Sequence, residues 1–167
     1  LPNVDIVYAN AIWWKVRMVK TQDEIARLTR ASAITEASIL EAFRLIKPGV
    51  TERTIIDAYH SGVTARGGRS TFCILGSGSR TAQPHALPSD KVIEDGDLIR
   101  YDIGCTYGYY HADNARAVVL GTPSAEHNRI YDAMAQGVDD AVNLMRPGAD
   151  VRDVYKAAMA PGQKLGL

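Results

Sequence analysis

The sequence predicts an α+β protein in which paired helices precede a small sheet. Three observations support this fold class: helical segments with recognisable caps, short strand-like runs between turn residues, and an internal repeat of the helical part. The chain has 167 residues, of which 46% are hydrophobic and 23% charged. These values are typical of a soluble globular domain with a real core.

Each of the predicted helices begins at capping or turn residues and ends at a Pro-Gly or Gly-Gly pair. The clearest start is the capping box Thr21-Gln22-Asp23-Glu24, in which the threonine and glutamate side chains each bond the other's backbone N–H. The helices are expected from 21 to 45, from near 51 to the glycines at 67 and 68, and from 122–124 to the Arg-Pro-Gly at 146–148.

Between these helices lie runs that favour strands. They are TFCILG at 71–76, LIRYDIG at 98–104 and ARAVVLG at 115–121. A polar, glycine-containing loop at 76–90 follows the first run, and the turn-rich segment CTYGYYHADN separates the other two. The last two strands therefore predict a β-hairpin.

The helical part recurs along the chain. LIKPGVTERTIIDA at 45–58 aligns with LMRPGADVRDVYKA at 144–157 at a constant offset of 99 residues. Pro-Gly is a common helix stop, so chance is the alternative, but the apolar positions match on both sides of it. We expect one helix–helix–sheet copy over 21–121 and a second that starts near 122 and reaches Leu167 before its own sheet.

Composition excludes several function classes. Nineteen basic residues balance nineteen acidic ones, and no run of lysine and arginine offers a nucleic-acid-binding stripe. No apolar run approaches the length of a membrane span. Cys73 and Cys105 form neither a CxxC pair nor a disulfide framework, which favours a reducing compartment and predicts a cytoplasmic protein.

Two aspartates near the hairpin are the candidate metal ligands. A two-residue turn at Tyr107-Gly108 would place Asp102 directly opposite Asp113 on one face of the sheet. Directly opposed side chains have Cβ atoms about 4.5–5.5 Å apart, so the two carboxylates would repel unless a cation or a proton lay between them. Hard oxygen ligands suit Mn²⁺, Fe²⁺, Zn²⁺ or Co²⁺. Two unrelated aspartates near a turn remain the alternative.

Two histidines lie near this pair in sequence. His85 lies between Pro84 and Pro88 in the loop before the hairpin, where flanking prolines can hold one side chain over a site. His111 precedes Asp113 by two positions and shares its strand face. His111 points into the site, contacts substrate or reaches the metal, in that order of preference.

The segment from Ser77 to Gly121, together with VKTQDEIARL and KPGVTE, resembles the core of the pita-bread metallopeptidases. That family includes Xaa-Pro aminopeptidases, prolidases and methionine aminopeptidases. The matching features, in order, are Ser77-Gly78, His85, Gly96-Asp97, Asp102-x-Gly104, Tyr110-x-x-Asp113 and Arg116. The resemblance covers nearly the whole chain from Lys20 onward.

The resemblance implies a metal-dependent aminopeptidase or dipeptidase of Xaa-Pro type. Asp102 would chelate one of two metal ions (Mn, Co, Zn or Fe) and Asp113 would bridge both, with a His and two Glu supplied by the second repeat. A metal-bound hydroxide would attack the N-terminal peptide bond, while His85 would contact substrate as the catalytic histidine. A homodimer acting on peptides, without nucleic acid or membrane, is the expected assembly.

By the same resemblance, residues 1–20 are a linker after an N-terminal domain and residues 21–167 are part of the catalytic domain. The sequence is expected to end before the second-repeat ligands, so that this chain alone would be inactive. Ala115 stands where the family has threonine or serine, and Tyr109 where it has glycine. Alternatives are a creatinase-like enzyme or lyase for non-peptide substrates, or a non-catalytic binding module of the same fold. The two aspartates argue against the metal-free creatinase type.

Overall fold

A computed structural model describes residues 4–167, which divide into two compact units, one up to Leu120 and the other Gly121–Leu167. The first unit contains three helices and four strands. They are α1 (Asn10–Met18), α2 (Gln22–Phe43), α3 (Glu52–Ala65), β1 (Arg69–Ser77), β2 (Leu98–Tyr107), β3 (Tyr110–His111) and β4 (Asn114–Val119). A 3-10 turn at Gly78–Ala82 follows β1. The second unit contains α4 (Ala125–Leu144) and α5 (Val151–Lys164).

The strand β2 organises the sheet of the first unit. It pairs antiparallel with β1 on one side and with β3 and then β4 on the other. Its odd-numbered side chains pack against those of α2 and α3, and Ile99, Ile103 and Cys105 among them are fully buried. Because side chains alternate along a strand, its even-numbered residues lie on the opposite face. The core thus fixes which face of the sheet Asp102 occupies.

The predicted capping box at the start of α2 is confirmed. The backbone N–H of Glu24 donates to Thr21 Oγ1 at 3.3 Å, and the N–H of Thr21 donates to Glu24 Oε2 at 2.6 Å. The helix ends at Phe43, slightly before the predicted end. The helix α1 was not predicted: it buries none of its residues, and Trp13 and Trp14 are 63% and 68% exposed.

The internal repeat is reproduced by the helices. Adding the offset of 99 to the ends of α3, Glu52 and Ala65, gives the ends of α5, Val151 and Lys164. The Pro-Gly glycines, Gly49 and Gly148, both adopt left-handed φ angles, of 93° and 86°. The connection between the two helices therefore turns at an equivalent glycine in each copy, and the second helix begins and ends at equivalent residues.

None of the helices within residues 4–167 is both long and apolar enough to cross a membrane.

Candidate metal centre

The hairpin that carries the aspartates forms, but with a register different from the predicted one. Tyr107 pairs with Tyr110, so the turn residues are Gly108 and Tyr109 instead of Tyr107 and Gly108. Both turn residues have positive φ, 55° and 71°, as a type I′ hairpin turn requires. The right-handed twist of the paired strands favours this turn type, which explains why the turn lies one residue later than predicted.

The corrected register moves the partner of each aspartate. Asp102 pairs with Ala115, and Ile103 with Asn114. The same register places Gly104 opposite Asp113, because Thr106 pairs with His111 without any inserted residue. Asp102 and Asp113 are therefore diagonal neighbours on one face, where directly opposed residues had been predicted.

The two carboxyl groups nevertheless interact. Burial raises the pKa of Asp102 above its ordinary value, and the adjacent Asp113 carboxyl raises it further through a hydrogen bond and charge repulsion. A hydrogen bond between two carboxyls requires that one of them hold a proton. The charges of Arg100 and His85 act in the opposite direction, lowering the pKa of Asp102.

Asp102 also carries an unsatisfied atom. Its Oδ1 is buried and has no hydrogen-bond partner in the described structure. Ala115, the residue opposite, has no polar side-chain atom to offer. Position 115, where the resembling family has threonine or serine, thus lies opposite Asp102. A buried acceptor without a partner is costly, and a cation would satisfy it.

His85 is exposed on the loop between β1 and β2, near enough to Asp102 for its charge to act on that carboxyl. The backbone before it is held by Arg100, whose Nη2 donates to the carbonyls of Gln83 at 2.8 Å and Pro84 at 2.7 Å. Arg100 was missed by the sequence reasoning. Strand alternation could have found it, since it precedes Asp102 by two positions and shares its face.

His111 lies beside the aspartate pair, in a different environment from His85. It lines an open cavity of about 470 Å³ with Arg69, Ser70, Thr71, Thr106 and Tyr109. It pairs with Thr106, one step beyond the Gly104–Asp113 position on the same face. Neither Asp102 nor Asp113 lines this cavity, and the orientation of His111 into the site stays a prediction.

The donor set of the described residues is small. Across residues 4–167, no group of three or more histidine, cysteine, aspartate and glutamate side chains is arranged to hold a metal ion. The structure therefore brings together Asp102 and Asp113, with the side chains of His85 and Arg100 nearby.

The sequence matches the model of metallopeptidase family M24 over residues 26–167. Among curated proteins it is 30% identical to an Xaa-Pro dipeptidase of Pyrococcus furiosus over 145 residues, which are 86% of this chain and 42% of that protein. An Xaa-Pro dipeptidase of Pyrococcus horikoshii is likewise 30% identical, with 86% of this chain and 41% of that protein covered.

Solved structures give the same result. A prolidase from Pyrococcus furiosus superposes with a TM-score of 0.90 at 29% identity, covering 95% of this chain and 48% of that one. An X-Pro aminopeptidase from Thermotoga maritima gives 0.88 at 31% identity, covering 94% and 45%. The predicted pita-bread fold is thereby confirmed. The chain spans less than half the length of each of these relatives.

Proposed function

Because the chain belongs to metallopeptidase family M24, we propose that it supplies two metal ligands, Asp102 and Asp113, to the active site of an Xaa-Pro-type peptidase. The observation that carries this proposal is the interacting carboxyl pair, in which Asp113 raises the pKa of Asp102. Asp102 and Asp113 are also diagonal neighbours on one face of the hairpin, and two adjacent carboxylates repel each other less when a cation lies between them.

The residues present fit a divalent cation. The buried Oδ1 of Asp102 lacks a partner, and both side chains offer hard oxygen donors of the kind that Mn²⁺, Co²⁺, Zn²⁺ or Fe²⁺ accepts. Asp102 would chelate the cation and Asp113 would bridge a pair of cations. Bound there, the cations supply Lewis acidity for hydrolysis of a peptide bond.

The other residues of the site have roles in binding substrate. His85 is exposed at the rim of the aspartate pair, where it can donate to a substrate carbonyl. Arg100 holds the two carbonyls immediately before His85 and thereby orients its loop. The N-terminal residue of the peptide would be released by hydrolysis of its bond to a following proline.

Several finer features belong to the same proposal. We expect two metal ions, with manganese among the candidates, a homodimeric assembly and a cytoplasmic location. Residues 1–20 would link to an N-terminal domain, and residues 21–167 would form part of the catalytic domain. These expectations follow from the family resemblance and the composition of the chain.

The proposal is tested on the complete gene product that contains this sequence. It should release the first residue from an Xaa-Pro dipeptide only when Mn²⁺ or Co²⁺ is supplied, and a dipeptide with alanine in second place should react more slowly. Asp102→Asn and Asp113→Asn should each lower kcat/KM by at least about a thousandfold, because each removes a metal ligand.

Asp90→Asn is the matched control, since Asp90 is exposed, pairs with Arg53 and lies outside the site. It should retain full activity. Residues 1–167 alone should be inactive, because Asp102 and Asp113 are too few ligands for a catalytic cation. A complete gene product without metal-dependent hydrolysis of any Xaa-Pro peptide would contradict the proposal.

A further inference from the structure

Glu52 is a fully buried carboxylate at the first position of α3. Acidic residues in the first turn of a helix are common because they interact favourably with its N-terminal dipole, and they ordinarily face solvent. Glu52 instead has no exposed surface, and its carboxylate faces the loop between β1 and β2 that carries His85. Its burial requires a different explanation.

One carboxylate oxygen binds the start of the loop. Ser77, the last residue of β1, donates to Glu52 Oε1 from its backbone N–H at 2.7 Å and from its hydroxyl at 2.8 Å. The other oxygen binds the end of the loop. Ser89 donates to Oε2 from its backbone N–H at 3.0 Å and from its hydroxyl at 2.8 Å. One side chain thus joins residues that are twelve positions apart in sequence.

Arg80 completes the arrangement from inside the loop. Its Nε lies 3.3 Å from Oε1 and 3.2 Å from Oε2 of Glu52, and its Nη2 donates to the carbonyl of Leu87 at 2.6 Å. The buried carboxylate is therefore paired with a positive charge and hydrogen-bonded at both oxygens, which is the condition under which a buried carboxylate is tolerated. The same arginine braces the loop next to His85.

We propose that Glu52 is a positioning residue that closes the base of the 78–88 loop and so holds His85 over the aspartate pair. Fixing both ends of a loop removes most of the conformations that the segment could otherwise sample. Ala86, next to His85, accordingly packs in a fixed place, with its carbonyl accepting from the N–H of Leu75 at 3.0 Å. The catalytic significance of holding His85 rests on the proposed function, whereas the closure of the loop does not.

The pattern of donors dictates the test. Glu52→Gln preserves the side-chain volume but replaces one acceptor oxygen by an NH₂ group, which cannot accept from Ser77, Ser89 or Arg80. One end of the loop must then be released. Ser89→Ala is the milder variant, since it leaves the charge paired and removes only the two bonds of the Ser89 hydroxyl, one donated to Glu52 at 2.8 Å and one accepted from the Lys91 N–H at 3.2 Å. It serves if Glu52→Gln does not fold.

Hydrogen exchange on residues 1–167 gives the first readout. Exchange of the amides from Ser77 to Ser89 should accelerate at least about tenfold in Glu52→Gln, and less in Ser89→Ala, while β2 amides stay protected. The ring signal of His85, assigned with His85→Gln, should move and sharpen. Glu41→Gln is the matched control, because Glu41 is exposed and its carboxylate accepts from Arg66 Nη2 at 2.8 Å, away from the loop.

Activity of the complete gene product gives the second readout. Glu52→Gln should lower kcat about tenfold to a hundredfold with unchanged metal content, because a displaced catalytic group loses rate without losing the metal. The inference would be overturned if Glu52→Gln showed the same loop hydrogen exchange or the same activity as Glu41→Gln. It would also be overturned if exchange of the β2 amides accelerated as much as that of the loop amides. An inactive wild type would instead refute the proposed function. In that case the hydrogen exchange of the loop and the ring signal of His85 would still test whether Glu52 holds the loop.

Discussion

Gly104 is the residue whose replacement should most directly disturb the candidate site. It lies in β2, opposite Asp113 in the segment that joins β3 to β4. A Cβ atom added there would lie 2.2 Å from the carbonyl oxygen of Ala112 and 2.9 Å from Phe72 Cε1. Gly104→Ala therefore forces apart the two chain segments that bring the aspartates together.

The size of the effect follows from these distances. Relieving the contact from 2.2 Å to the 3.0 Å below which Cβ contacts are essentially never observed requires a shift of 0.8 Å. Such a shift breaks the bond from Ala112 N–H to the Cys105 carbonyl, now 2.9 Å, at a cost of about 1 kcal/mol. Overpacking adds about 1–3 kcal/mol, so we expect a total of about 2–4 kcal/mol.

Urea unfolding followed by far-UV circular dichroism measures this loss. Tryptophan fluorescence is less suitable because Trp13 and Trp14 are exposed on α1. Manganese titration of the same samples measures the site, and affinity should fall at least about tenfold as Asp113 moves away from Asp102.

Gly49→Ala is the control for a glycine substitution in general. Nothing lies within 4 Å of a Cβ atom added at Gly49, so the substitution causes no clash. Holding an alanine at this left-handed φ should lower the free energy of unfolding by about 1–2 kcal/mol, and metal affinity should not change. If Gly104→Ala is no less stable than Gly49→Ala and binds manganese as tightly as the wild type, the hairpin does not position the aspartates as described.

Three further predictions concern titration, turn strain and thiol reactivity. Because the pKa of Asp102 is raised in the folded chain, the stability of the metal-free protein should fall as the pH rises from the ordinary aspartate range through that raised value. Asp102→Asn should remove this decline and be more stable than the wild type by up to about 1 kcal/mol at neutral pH, measured by thermal unfolding. A pH profile of stability identical to that of the wild type would contradict the raised pKa of Asp102. Tyr109→Gly should raise the free energy of unfolding in urea by about 0.5–1 kcal/mol, because Tyr109 is a non-glycine residue at φ 71°. A lower free energy of unfolding would show that the turn is not strained. Native Cys105 should not react with a thiol reagent because it is fully buried, and Cys73 should react slowly because burial raises its pKa; rapid labelling of both would show that the core is open.

Local sequence signals predicted much of the fold because they act over a few residues. The capping box at Thr21–Glu24 and the glycines after Pro48 and Pro147 depend only on backbone geometry near each helix end. The offset of 99 likewise relates α3 to α5 without any tertiary information. These features could therefore be placed to within a few residues.

The errors arose where two segments meet. The hairpin register depends on which residues adopt positive φ, and Tyr109 gives no sequence signal for that conformation, since glycine or asparagine is the usual choice. The role of Glu52 has no sequence signal, because its partners Ser77 and Ser89 are far from it in sequence. Sequence patterns thus predicted the candidate residues, whereas their partners required the structure.

Asp102 and Asp113 are proposed to bind a divalent cation together. Electron paramagnetic resonance of Mn²⁺ titrated into residues 1–167 tests it directly, because free Mn²⁺ gives a signal that bound ion loses. Wild type should bind weakly but saturably, Asp102→Asn and Asp113→Asn should each bind at least about tenfold more weakly, and Asp90→Asn should match wild type. Binding that is equal in all four proteins, or no saturable binding by the wild type at millimolar Mn²⁺, would contradict the account.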